Sequence, residues 1–348
     1  MKFLFKRSAI LGLAASLALT LGTGIASAAA GYGNWRIAYH VALKVSSDWY
    51  SLVAPSRDQA WAIGFKYTRR GVLGEFLDHW NGKRWRLTPV PGTGFTPLAL
   101  AASGPGNVWL FSSYGRALRW DGHRWERVPN TRGVQMGAPV VLSPSDVWTE
   151  GVRLCGTSIL YHWDGSRWSE HTVHAAIDSM SGSSPKNFWV LTQPWANGSR
   201  CIPARGARLT ALRWDGRSFR RMPVPRVVNA KGQNGGQIAV TSTRSIWIAN
   251  ASIGTIAHWN GHRWARLNER AAGQDVPPGP IVPDGHGGAW IGGCFHWSRG
   301  TWHGIYGDIC NVTRGIARIP GTRSAWGLGL ARFNSRVEGT IEVNGPIP

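Results

Sequence analysis

RWDGHRW (residues 119–125) is one of six copies of a short pattern. The others are HWNGKRW (79–85), HWDGSRW (162–168), RWDGRSF (213–219), HWNGHRW (258–264) and a distorted HWSRGTW (296–302). A pattern that returns along a chain marks a repeated supersecondary unit, so the string is read first as part of a building block. Asp-Gly and Asn-Gly flanked by apolar residues are strong hairpin signals. A two-residue type I′ turn at Asp121-Gly122 would set Trp120 and Trp125 diagonally on one face and Arg119 opposite Arg124 on the other. The same register would oppose His79 to Arg84, His162 to Arg167 and His258 to Arg263.

A second pattern alternates with the first: QAWAIG (Trp61), NVWLFS (Trp109), DVWTEG (Trp148), NFWVLT (Trp189), SIWIAN (Trp247), GAWIGG (Trp290) and SAWGLG (Trp326). Turn-forming strings precede it, and runs of small apolar residues such as PLALAAS and APVVLS precede those. The order is small-residue strand, turn, tryptophan strand, variable loop, strand ending in His/Arg-Trp, turn, tryptophan-bearing strand. Four antiparallel strands per unit at this spacing predict an all-β, seven-bladed β-propeller. Seven tryptophan strands meet only six complete outer hairpins. Residues 339–345 (GTIEVNG) supply a third strand and its turn for the seventh blade, and 33–40 (GNWRIAYH) supply its fourth strand. The N-terminal strand thus completes the C-terminal blade and removes the exposed sheet edges.

Of 21 tryptophans, 19 occupy three repeat positions and are expected to pack between blades. Trp49, in the first small-residue strand, and Trp195, in a loop, stand outside the repeat.

The N-terminus reads as an export signal over residues 1–28, with Lys2, Lys6 and Arg7, an apolar run at 8–22, and Ala26-Ser27-Ala28. That run is shorter than the ~20 residues a membrane span needs. One domain, 29–348, outside the cell and with no integral membrane segment, is the expectation. Net charge is +21, carried mainly by arginine. The charge is spread along the chain, which reads as a solvated basic surface. A nucleic-acid or membrane role would need it gathered on one face, so neither partner is expected.

The VW-x-x-G and HWDG-x-x-W units resemble the blades of secreted bacterial β-propellers, and more distantly tectonin-type and kelch-like propellers. WD-repeat proteins carry a Gly-His partner upstream that this chain lacks, and sialidase Asp boxes have one residue more. Kelch blades carry a double glycine that Gly292-Gly293 and a few scattered pairs imitate. Tectonin-like propellers are often lectins, so the resemblance implies a recognition role.

In this architecture, loops between second and third strands and connections between blades emerge on one face. That set varies here, most in TQPWANGSRCIPARGAR (192–208), VPRVVNAKGQNGG (224–236) and ERAAGQDVPPGP (269–280). Binding residues concentrate on such loops. The candidate site is Trp195 as an aromatic platform with Arg200, Arg205, Arg208, Lys231 and Asn234 as polar partners. In an exported chain the four cysteines are expected as Cys155–Cys201 and Cys294–Cys310, between neighbouring loops. Metal and cofactor sites are not expected: His171 and His174 fall on opposite strand faces, and no hydrolase or nucleotide-binding string occurs. Glu150, Glu170, Asp178 and Asp275 are spare acids.

The expected function is monomeric, non-enzymatic recognition of an extracellular glycan, an anionic wall polymer or a protein. The rival is a polysaccharide hydrolase or lyase on the same scaffold, which would show an acidic pair at the ring mouth. A purely structural scaffold would bury Trp195.

Overall fold

The computed structural model describes residues 35–92, 94–112, 114–131, 137–154, 157–196, 204, 208–228, 235–250, 255–267, 280–293, 295–304 and 315–348. Within Tyr32–Pro348, a single compact unit, the chain forms seven four-stranded antiparallel sheets. Six are consecutive in sequence. Blade 1, for example, runs β2 (Ser46–Ser56), β3 (Gln59–Thr68), β4 (Gly71–Trp80) and β5 (Trp85–Thr88). First strands of successive blades touch one another around the ring, which makes them the innermost strands.

The seventh blade joins β26 (Ile316–Arg318), β27 (Ala325–Phe333) and β28 (Arg336–Asn344) to β1 (Arg36–His40) from the other end of the chain. This is the expected closure, one residue out of register with the other blades. Val343 faces Arg36, whereas Trp80 faces Trp85 in blade 1. The seam is held by Trp35, whose Nε1 donates to the Gly293 carbonyl at 2.8 Å, and by His40 on Glu338 at 3.0 Å. Trp49 lies within it, fully buried and edge-on to Phe76 at 4.8 Å.

The repeat tryptophans pack as wedges between blades. The second-strand tryptophan of one blade meets the outer-hairpin aromatics of the next. Trp61 lies 5.3 and 5.2 Å from Trp120 and Trp125, Trp148 lies 5.4 and 5.8 Å from Trp214 and Phe219, and Trp326 lies 5.2 and 5.4 Å from Trp80 and Trp85. Each such ring hides about 150–250 Å² from water. The histidines of the repeat stack face to face on the same tryptophans: His79 on Trp61 at 3.9 Å, His162 on Trp148 and His258 on Trp247 at 4.0 Å. They are architectural, and burial pushes His79 and His258 below the ordinary imidazole range.

The expected hairpin register is corrected by the structure. Trp120 faces Trp125 directly and Arg119 faces Glu126, while His79 faces Arg86, His162 faces Ser169 and His258 faces Ala265. The loop has four residues. Asp121 keeps a negative φ, and its Oδ1 accepts the backbone N–H of His123 at 2.7 Å and of Arg124 at 2.8 Å. Asn81, Asp164, Asp215 and Asn260 do the same in their blades. A carboxylate or amide that satisfies two backbone donors favours this longer turn over type I′. The distorted copy does make the two-residue turn, with Arg299 and Gly300 both at positive φ.

Candidate functional site on the variable-loop face

Strand β15 (Asn187–Gln193) of blade 4 ends at the variable-loop face, and Trp195 follows two residues later. Trp195 is half-buried, with its indole N–H turned inward and without a hydrogen-bond acceptor among the described residues. It is neither the free platform of a pure binding reading nor the buried plug of a pure scaffold. In this loop the Ala204 amide donates to the Pro194 carbonyl at 2.8 Å. Arg208 is exposed at the far end of that loop, beside the buried Leu209. Arg200, Arg205, Lys231 and Asn234 lie outside the described residues, as do Cys155, Cys201, Cys294 and Cys310 with both expected disulfides.

The structure adds two acids to this rim. Asp178 sits at a bulge near the start of β14 (Ala176–Ser184), the innermost strand of blade 4. Its Oδ1 accepts from Gln193 Nε2, and its Oδ2 accepts from the Gly236 amide of blade 5 at 3.1 Å. Asp178 therefore ties the end of β15 and the start of blade 5 together, two residues from Trp195. Its carboxyl is raised by burial, partly offset by these two donors.

Glu150 faces Gly137 at the same end of blade 3, on β11 (Asp146–Leu154). Burial, and then the neighbouring charge of Asp178, push its carboxyl up to about 7. A half-buried acid poised near neutrality beside a second carboxylate can donate or accept a hydrogen bond. Glu170 is exposed on the outermost strand of blade 3, away from this pair, and Asp275 lies outside the described residues. The acidic pair escapes a linear reading because its members come from different blades, Glu150 from the middle of β11 and Asp178 from the start of β14.

His171 packs against Trp148 and Trp214 at 5.3 and 5.1 Å, inside the blade 3–4 wedge. No group of three or more His, Cys, Asp or Glu among the described residues is arranged to hold a metal ion, and none of their helices is long and apolar enough to cross a membrane.

No family model and no curated protein matches the sequence. Solved structures do resemble the fold. A catalytically inactive virginiamycin B lyase from Staphylococcus aureus, with quinupristin, superposes with a TM-score of 0.58 at 11% identity, covering 90% of this chain and 100% of that one. YCF48 bound to D1 peptide gives 0.54 at 13% identity, over 91% and 98%. The Cps50 (Swd1) β-propeller domain of Myceliophteria thermophila gives 0.57 at 10% identity, over 88% and 99%. At such identities the likeness carries the fold alone: the chain is a seven-bladed β-propeller with four-stranded antiparallel blades.

Proposed function

We propose that this chain is an exported recognition protein, in keeping with its signal-like N-terminus and the resemblance of its blades to secreted bacterial propellers. Its ligand is an extracellular glycan, bound on the variable-loop face at blades 3 to 5. The observation that carries this reading is the half-buried Trp195 set two residues from the Gln193–Asp178 brace, with Glu150 across the rim. An indole face beside carboxyl and amide groups matches a sugar, which offers apolar C–H faces and hydroxyls that both donate and accept. Arg200, Arg205, Arg208, Lys231 and Asn234 would extend the site along the same loops. A glycan and wall-polymer array with wild type and Trp195→Ala tests it. Signal for a defined set of glycans, weakened about tenfold or more in the variant, is expected; equal signals, or none, would refute the site.

One observation favours a second reading, a polysaccharide hydrolase or lyase. Glu150, raised to about 7 beside Asp178, has the protonation behaviour of a general acid. Glycan turnover by wild type, with activity falling as pH rises through about 7 and about 100-fold lower in Glu150→Gln, would establish it. Binding without turnover, unchanged in form by Glu150→Gln, would exclude it. Both kinds of work are known among propellers of this shape: one neighbour is bound to a peptide and another is a lyase.

A further inference from the structure

The face opposite Trp195 collects cations. The turns between first and second strands and those between third and fourth strands share it, and they pack on one another. A Cβ at Gly261 would press on Arg244, and one at Gly216 on Lys186. Both pairs bring an inner-turn cation onto an outer turn of the same blade. The outer turns end in exposed basic residues, Arg84, Arg124, Arg167 and Arg263 among them.

These charges are not spread evenly round the ring. In blades 2 and 3 the turn aspartates neutralise them: Arg124 pairs with Glu126 at 2.9 Å and Asp121 at 3.8 Å, and Arg167 pairs with Asp164 at 3.4 Å. Across blades 4 to 7 and on to blade 1 the turn acids thin out, Asp58 against Gly82 in blade 1 being one that stays. Asn81 and Asn260 replace aspartate, Ser298 and Asn344 stand at that place in blades 6 and 7, and Asp215 is taken by Arg220 at 2.9 Å. Lys83, Arg84, Lys186, Arg217, Arg244, Arg263, Arg299 and Arg323 are left exposed, with no ion-pair partner among the described residues.

Within this arc, where blades 6 and 7 meet, lies a cavity of about 460 Å³. At this place blade 7's third and fourth strands are not joined by a continuous hairpin, since the fourth arrives from the other end of the chain. Arg299, Arg323, His286 and Asn344 line it above a floor of Asp284 and His296. The floor carboxylate is already engaged. Asp284 Oδ2 meets His296 Nε2 at 2.9 Å, and Oδ1 accepts the His286 and Gly288 amides at 2.6 and 2.9 Å. Two guanidinium groups therefore remain to receive an anion, in the planar geometry that suits carboxylate and sulfate.

We infer that this turn face is a second binding surface, for an acidic polysaccharide. One carboxylate or sulfate group seats in the blade 6–7 cavity on Arg299 and Arg323, and the chain follows the arc of cations. The surface suits a polymer without bases or acyl chains. Its tryptophans are wedged between blades, which leaves none among the described residues standing free for a nucleobase to stack on. Of the exposed large apolar side chains among the described residues, Ile37 and Ile347 lie on this part of blade 7, too few to enter a lipid surface.

The test is titration of the full chain with an oligogalacturonate and with a heparin oligosaccharide, a DNA oligonucleotide and anionic phosphatidylglycerol vesicles being run alongside. Two variants remove the same charge: Arg299→Asn with Arg323→Ala in the cavity, and Arg124→Ala with Arg167→Ala in the neutralised arc. Asparagine is chosen at 299 because it tolerates the positive φ there. Acidic oligosaccharide binding that weakens steeply between about 50 and 200 mM salt is expected. It should fall about tenfold or more in the cavity variant and less than about twofold in the other. The two oligosaccharides separate carboxylate from sulfate. Equal loss in both variants, tighter binding of DNA or vesicles, or no binding would overturn the inference. Trp195→Ala leaves this binding unchanged, so the two surfaces stand or fall separately.

Discussion

Asp78 is completely buried on β4, and among the described residues its side chain is hydrogen-bonded by Tyr39 of the closing strand, whose hydroxyl donates to Oδ1 at 3.4 Å. Its second oxygen has no partner, and burial pushes the carboxyl up to about 7. An unfolded chain holds that proton only to about pH 4. Between those values the folded state binds the extra proton, so this residue lowers stability as pH rises from about 4 to 7 and has no further effect above that. Asp78→Asn keeps an acceptor for Tyr39 and cannot ionise. It should raise stability at pH 8 by on the order of 2–4 kcal/mol and leave it unchanged near pH 3.5. Urea denaturation at both pH values checks this; a gain of equal size at both would show that folding does not shift the carboxyl's pKa.

The outer hairpin is the element on which the repeat rests, and its side-chain acceptor does the capping. Asn260 accepts the amides of His262 and Arg263 at 3.1 and 3.0 Å. Asn260→Ala should cost about 1 kcal/mol, as loss of a comparable cap does at a helix end, whereas Asn260→Asp keeps the acceptor and the stability. Denaturant midpoints of the two variants decide it, and equal loss in both would contradict the capping role. The position of these hairpins was plain from Asp/Asn-Gly, but their length was not. The dipeptide suits a two-residue I′ turn as well as a four-residue loop, and only the side-chain bonds to the second and third following amides choose between them. The same limit applies to the candidate site. Trp195 stood out because no repeat position claims it. Glu150 and Asp178 read only as spare acids, because the approach of blade 3 to blade 4 that couples them is a property of the ring.

At the scale of the molecule, the ring separates two chemistries. The turn face repeats one hairpin and carries a basic residue at most of its turns, an arrangement that the even run of charge along the chain does not reveal. The variable-loop face carries the long insertions, Trp195 and the Glu150–Asp178 pair. Closure by β1 completes the seventh blade and ties the two ends of the ring together under both faces; a Cβ at Gly339 would strike Trp49 in that seam. The central claim is that the variable-loop face of blades 3 to 5 engages the ligand. Amide hydrogen exchange, recorded with and without a saturating amount of the strongest glycan from the array, tests it most directly. Slowed exchange confined to segments around 146–154, 176–180 and 191–208 is the expected result; protection confined to the turn face, or to no segment of blades 3 to 5, would contradict it.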